Sequence, residues 1–364
     1  MHLKNSKIII IKIGSSLLVD ADRKIRKKWL TSFAKDIKKL KSKNKKIVIV
    51  SSGAIALGCK KMNYNKTNLR LDKSQAIASI GQIELMNLFS QTFLKFKLNI
   101  SQILLTLEDT EERRRSINAK RTFENLFELD YIPIVNENDT IATSEIKYGD
   151  NDRLAARVAQ IIGADTLIIL SDVDGLYDKS KKKNIIRTVS KIDSNIYALV
   201  EDKKNSYGSG GIMTKLDAAK ICMNSGSQML IANGQKLNPL KKIFENNNYT
   251  RFVPKISTLA ARKKWIVSSI SSSAKIYIDD GATKAINNGK SLLPAGIIRV
   301  LGNFKKGENI LIVDKNNNEL ARGLSSFSSI EIQKIKGLQS SQIENILGYS
   351  SKSEIIHKDD MVKL

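Results

Sequence analysis

The sequence predicts an α/β fold, a mostly parallel sheet sandwiched by helices, followed by a small C-terminal β-rich domain. Three observations carry this expectation. Short, continuous apolar runs at 8–11, 47–50 and 167–170 have the composition of strands buried on both faces of a parallel sheet. Between them lie segments whose apolar residues recur at helical spacing, as with Trp29, Leu30, Phe33, Ile37 and Leu40. Beyond residue 263 the long segments give way to short β-like runs separated by Gly- and Asn-rich turns.

The elements follow in order from the same pattern. After the strand at 8–11 and the helix around 29–40, the strand at 47–50 ends in Ser51-Ser52-Gly53-Ala54, small residues that open a helix. A helix near 73–95, a strand at 103–107 and a helix near 116–129 come next. A strand at 132–135, a helix over 151–162 and the strand at 167–170 continue the alternation. The last unit is a helix from about 213 to 225, closed by Gly226, and a strand at 229–232. At 364 residues the chain suits two domains better than one. We therefore expect one domain at 1–262, a linker at 263–273 and a second domain at 274–364. In that second domain the β-like runs are Lys275–Ile278, Ile297–Leu301 and 310–313, which read as a small barrel or sandwich.

Composition narrows the chemistry. The two histidines, His2 and His357, lie at opposite ends of the chain, which all but removes a Ser-His-Asp hydrolase and leaves zinc chemistry few ligands. Cys59 and Cys222 are far apart and form no metal or redox spacing, as expected of buried thiols in a cytoplasmic protein. The N-terminal apolar run is interrupted by Lys12 and ends at Gly14, short of a secretory core. No stretch approaches the roughly 18 apolar residues of a membrane span. Formal net charge is +25, and residues 1–70 alone hold 19 basic against 3 acidic residues. A nucleic-acid surface and solvated helix faces both fit that excess. The basic runs lack interleaved aromatics, which favours solvated faces.

Parallel sheets place ligands at the carboxyl ends of their strands, so the loops there carry the functional reading. Lys12 stands among isoleucines and is costly to bury unless its ammonium meets an anion, and Gly14 allows backbone N–H groups to approach the same anion. A strand-to-helix turn with a snorkelling lysine fits Lys12 and Gly14 equally well. The run Tyr207-Gly208-Ser209-Gly210-Gly211-Ile212-Met213-Thr214-Lys215 leads glycines, hydroxyls and a lysine into a helix, the make-up of a phosphate cradle, with a flexible helix-entry loop as the alternative. Ser171 and Asp172 end the strand at 167–170 and fit either a nucleotide contact or an Asx turn. In the segment NENDTIATSEIKYGDND (136–152), Asn136, Asp139, Asp150, Asn151 and Asp152 gather at the ligand edge with Ser52 and the two lysines. Helix capping accounts for part of this. Acceptors and donors collected beside cations describe a site for a small zwitterion.

The ordered motifs IIKIGSS, IVIVSSGAIALG, PIVNEND, YGDND, LIILSDVDGLY and GSGGIMTK resemble those of the amino acid kinase family, within it the glutamate 5-kinases. The tail, with IYIDDGATKAI, SLLPAGI, GNFKKGE and ARGLSS, resembles a PUA domain, a kind also found in RNA-modifying enzymes. The resemblance implies an amino acid kinase-like first domain, a PUA-like second domain, and phosphorylation of L-glutamate by ATP to γ-glutamyl phosphate in proline biosynthesis. It further implies that Lys12 and Lys215 neutralise the transferring phosphoryl group and that Asp152 orients them. Ser52, Asn136, Asp139 and Asn151 would hold glutamate, with Asp139 beside its ammonium. Lys12, Gly14, Ser171, Asp172 and the loop Ser209, Gly210, Gly211, Ile212, Met213, Thr214 and Lys215 would hold ATP. Ser209 and Ile212 depart from the Thr and Met usual at those positions, with little change in size or polarity. ATP is expected with Mg²⁺ carried on its phosphates, and no protein metal site is expected. The resemblance also implies a homo-oligomer, and RNA is expected to bind only weakly through a tail of 13 basic and 10 acidic residues. Two rivals remain open: a kinase for another acid, such as aspartate, acetylglutamate or carbamate, and an RNA-binding protein with a vestigial kinase domain.

Overall fold

Lys12 sits on the central strand of an eight-stranded sheet, and the rest of the fold is arranged around that strand. β1 (Ile8–Ile13) pairs in parallel with β2 (Lys46–Ser51) on one side and β5 (Thr166–Ser171) on the other. In the computed structural model, which describes residues 5–20, 22, 24–64, 69–142, 150–178, 184–200, 211–261, 263, 274–349 and 352–364, the chain forms two compact units, Met1–Thr258 and Leu259–Leu364. With β3 (Ile100–Leu105), β4 (Ile132–Glu137), β6 (Thr188–Val189), β7 (Gln228–Asn233) and β8 (Tyr249–Phe252), the sheet order of the first unit is β3-β4-β2-β1-β5-β7-β8-β6. Every pairing is parallel except that of β8 with β7.

Side chains alternate across the sheet, and β1 shows the consequence. Ile9, Ile11 and Ile13 pack on one face with Trp29, Phe33, Phe89 and Phe93, from α1 (Lys27–Lys41) and α3 (Leu71–Leu94). Ile10 packs on the other face with Leu154, Val158 and Leu216, from α5 (Asp150–Ile162) and α6 (Ile212–Asn224). Lys12 shares the parity of Ile10, so its stem leaves the strand on the α5/α6 face. The helix α2 (Ala54–Lys61) starts after Gly53, whose φ of 123° turns the chain sharply off β2. It crosses α3 almost in backbone contact. A Cβ at Gly81 would lie 1.8 Å from the Ala54 carbonyl oxygen, and one at Gly58 would lie 2.1 Å from that of Ile77.

Three differences from the expected elements have identifiable causes. The strand expected at 103–107 runs over Ile100–Leu105, because β3 is an edge strand and tolerates Ser101 and Gln102 in an alternating, half-exposed pattern. Thr106 then caps a short helix, Leu107–Glu111, in a reciprocal box with Asp109. That box separates the strand from α4 (Arg113–Glu128). The helix α7 (Pro239–Asn246) lacks a side-chain cap of its own and takes one from α1: the buried Asp36 accepts hydrogen bonds from the backbone N–H groups of Leu240 and Lys241 at 3.0 and 3.1 Å. Its burial pushes the carboxyl above its ordinary range, against those two bonds.

In the second unit the described strands pair into one five-stranded sheet, not into the two sheets of a sandwich. Its order is β10 (Ile297–Leu301), β9 (Lys275–Ile278), β11 (Asn309–Val313), β12 (Glu319–Leu324) and β13 (Met361–Lys363). Ile276, Ile278, Ile310, Ile312, Phe327, Ile332 and Ile356 form its core. Nearly all of the expected linker lies outside the described residues.

Candidate active site

Asp152 is fully buried between two buried lysines. Lys12 Nζ stands 2.8 Å from its Oδ1 and Lys215 Nζ 3.3 Å from its Oδ2. Lys215 donates a hydrogen bond to Oδ2, and Lys12 pairs with Oδ1 as an ion pair. The three charges come from the end of β1, the first turn of α5 and the first turn of α6. Burial works against the Asp152 charge, but Lys12 and then Lys215 outweigh it and hold the carboxyl below its ordinary range. Thr214 Oγ1 lies 3.2 Å from Asp152 Oδ2 and 2.8 Å from the Gly211 carbonyl, and its single hydrogen serves one of them at a time. Thr214 therefore touches the lysine–aspartate cluster as well as the loop it was expected to serve.

Successive helical residues point about 100° apart, so Asn151 faces a different set of partners from Asp152. Its Nδ2 donates to Ser52 Oγ at 2.7 Å and to Asn136 Oδ1 at 3.2 Å. Asn136 in turn donates through Nδ2 to Gln82 Oε1 at 2.8 Å. Ser52 itself is tied to β1, its backbone N–H donating to the Ile13 carbonyl at 3.0 Å. The result is a chain of polar side chains from the turn just after β2, α5, β4 and α3. Gln82 is absent from the candidates named above. It lies on α3 one residue after Gly81, and only the close crossing of α3 and α2 brings it to the strand ends. Asp139 joins neither group. It stands in the loop after β4, and burial pushes its carboxyl up to about 6, with no cation among the causes of the shift.

At the other end of the sheet edge, Ser171 Oγ donates to Asp172 Oδ1 at 3.0 Å, and the Ser171 carbonyl accepts the Gly234 N–H at 2.8 Å. Asp172 is exposed. Gly14 precedes a four-residue helical turn, and a Cβ there would stand 3.9 Å from Lys12 Nζ and from Ser16 Oγ, in ordinary van der Waals contact. Gly211 precedes α6, and a Cβ there would meet nothing within 4 Å among the described residues. Met213 is exposed and Ile212 half-buried. Ser209 and Gly210 lie outside the described residues. Among the described residues no three His, Cys, Asp or Glu side chains converge as a metal site, and no helix is long and apolar enough to cross a membrane.

Comparison with known proteins bears on this geometry. Residues 7–233 match the amino acid kinase family and residues 274–347 match the PUA domain. A glutamate 5-kinase from Pelagibacter ubique is 65% identical over 100% of both chains. One from Nitrobacter hamburgensis is 43% identical over 100% of this chain and 97% of its own. Among solved structures, carbamate kinase from Giardia lamblia bound to AMP-PNP covers 70% of this chain and 100% of its own, at 16% identity and a TM-score of 0.50. That last likeness concerns the fold alone.

Proposed function

This chain belongs to the amino acid kinase family, and we propose that its site transfers the γ-phosphoryl group of ATP to the side-chain carboxylate of L-glutamate. The product is γ-glutamyl phosphate, in the first step of proline biosynthesis. One observation supports the residue assignment above all: the buried Lys12–Asp152–Lys215 cluster lies beside the amide chain Ser52–Asn151–Asn136, the two being joined through adjacent residues of α5.

The chemistry asks little beyond alignment and charge. Glutamate's side-chain carboxylate, with an intrinsic pKa of ~4.3, is already an anionic nucleophile at neutral pH, so no general base is required. A phosphoryl group in flight spreads negative charge over its oxygens, and preorganised cations stabilise it. In our reading Lys12 and Lys215 supply those cations, and Asp152 holds both ammonium groups in place before substrate arrives. Three charges with a net of +1 also make the empty site less costly than two bare lysines.

Asp139, whose carboxyl is pushed up to about 6 by burial, is paired with no cation among the described residues, and glutamate's ammonium would provide that counter-charge. Ser52, Asn136 and Asn151 offer the neutral donors and acceptors for the rest of the amino acid. The backbone at Gly211, where a Cβ would meet no described atom within 4 Å, stands at the N-terminus of a thirteen-residue helix and suits ATP phosphates. Gly14, Ser171, Asp172 and the 209–215 loop complete the proposed nucleotide side. Mg²⁺ enters with ATP, carried on phosphate oxygens, since Asp152 is engaged by two lysines. From the family likeness we further propose a cytoplasmic homo-oligomer, and a PUA unit that binds RNA weakly.

Trapping acyl phosphate with hydroxylamine, in the presence of ATP and a panel of amino acids, tests the assignment. Glutamate should be the best acceptor. Preference for aspartate or acetylglutamate, or no turnover at all, would overturn it.

A further inference from the structure

The hydrogen bonds around Ser52 have one direction, and Gln82 is where that direction is set. Gln82 Oε1 is a pure acceptor and takes the Asn136 amide N–H at 2.8 Å. Asn136 must then present Oδ1 to Asn151, and Asn151 must present its NH₂ group to both Asn136 and Ser52. Ser52 Oγ thus accepts, at 2.7 Å, and its own hydrogen has no acceptor among the described residues. Gln82 Nε2 and Asn151 Oδ1 are buried and make no hydrogen bond among the described residues, so the part of Gln82 in use is its acceptor. Reversing the Gln82 amide would bring two NH₂ groups face to face and release Asn136 and Asn151 to turn over.

We infer that Gln82 is a positioning residue that polarises the Asn136–Asn151–Ser52 chain, so that the Ser52 hydroxyl is left to donate to a carboxylate of the bound amino acid. This rests on the reading of the site as a glutamate kinase. Gln82 need not touch the substrate: its effect travels through two amides to one O–H.

The test compares Gln82→Met, which keeps the bulk and loses the acceptor, with Gln82→Glu, which keeps an acceptor facing Asn136. Gln82→Met should raise KM for glutamate roughly ten- to a hundredfold, the range for a lost hydrogen bond to a charged group. KM for ATP and the unfolding temperature should stay close to those of the unsubstituted enzyme. Gln82→Glu should restore glutamate KM to within about threefold, a rescue that a packing role would not show. Ser52→Ala should raise glutamate KM by about as much as Gln82→Met, and the double variant should be little worse than either, because both remove the same donor. An unmoved glutamate KM in Gln82→Met, or a loss in Gln82→Glu as large as in Gln82→Met, overturns the inference. If Gln82→Met does not fold, an unmoved glutamate KM in Ser52→Ala overturns it. Absence of glutamate-dependent acyl phosphate in the unsubstituted enzyme would instead overturn the glutamate assignment itself.

Discussion

Replacing Asp152 by Asn keeps the size of the side chain and removes one charge from the most buried ionic cluster of the site. Lys12 and Lys215 stand 2.8 and 3.3 Å from the carboxylate oxygens. At an effective dielectric near 20 those separations correspond to gross attractions of about 6 and about 5 kcal/mol. Desolvation of three buried charges cancels much of this, and breaking a buried pair is observed to cost roughly 3–5 kcal/mol because charge is left uncompensated. In a unit of this size each kcal/mol moves the unfolding midpoint by about 2–4 °C, so Asp152→Asn should unfold roughly 6–20 °C lower. Saturating MgATP brings phosphate oxygens to the bare ammonium groups and should recover part of the loss, about 2.7 kcal/mol at a hundredfold excess over Kd. Turnover in the hydroxamate assay should fall by about 10²-fold or more, since both cations lose their fixed position. Because its folded-state pKa is lowered, Asp152 stabilises the protein above the ordinary carboxylate range and loses that contribution as pH falls through the folded value. The variant should lack this acid-side loss. A midpoint shifted by less than about 1 °C, with turnover within about threefold, would refute the electrostatic account.

Three further sets of outcomes are expected. Asp139, raised to about 6, favours its neutral form in the unliganded protein, so its contribution to stability is full below the ordinary carboxylate value and is lost as pH rises through about 6. In the proposed site glutamate's ammonium pairs with the ionised form, so glutamate KM should climb as pH drops below about 6. Asp139→Asn should flatten that pH profile, raise glutamate KM by the equivalent of roughly 2–5 kcal/mol, and leave ATP binding nearly unchanged. Equal weakening for both substrates would point to a structural role for the loop. A chain ending at Ser273 should fold and retain glutamate phosphorylation, whereas a folded but inactive product would show that the second unit contributes to catalysis. The full chain should bind RNA weakly, with binding that fades between about 50 and 200 mM salt; tight binding that resists salt would show that contacts other than phosphate neutralisation hold the RNA.

What the sequence by itself determined is mostly what local periodicity can report. Continuous apolar runs have the burial of interior strands, so β1, β2, β4, β5 and β7 were legible, as was a lysine in an unfavourable place on the first of them. The end of β3 was less so, because an edge strand needs only one apolar face and the Thr106–Asp109 box that stops it is a short signal. Helix α7 depends on Asp36, a cap supplied from some two hundred residues earlier, which no window of neighbouring residues contains. The site shows the same division. Its residue types could be read from motifs at strand ends, but their sorting into an ionic cluster and an amide chain follows from three-dimensional placement. The parity of β1 sends Lys12 to the α5/α6 face, the 100° step along α5 parts Asn151 from Asp152, and Lys215 arrives from 63 residues further on. Gln82 had no signal at all in its own segment, where it is one polar residue on a long helix. It meets Asn136, 54 residues away, because Gly58 and Gly81 let two helices approach to backbone contact, and that distance is decided by packing.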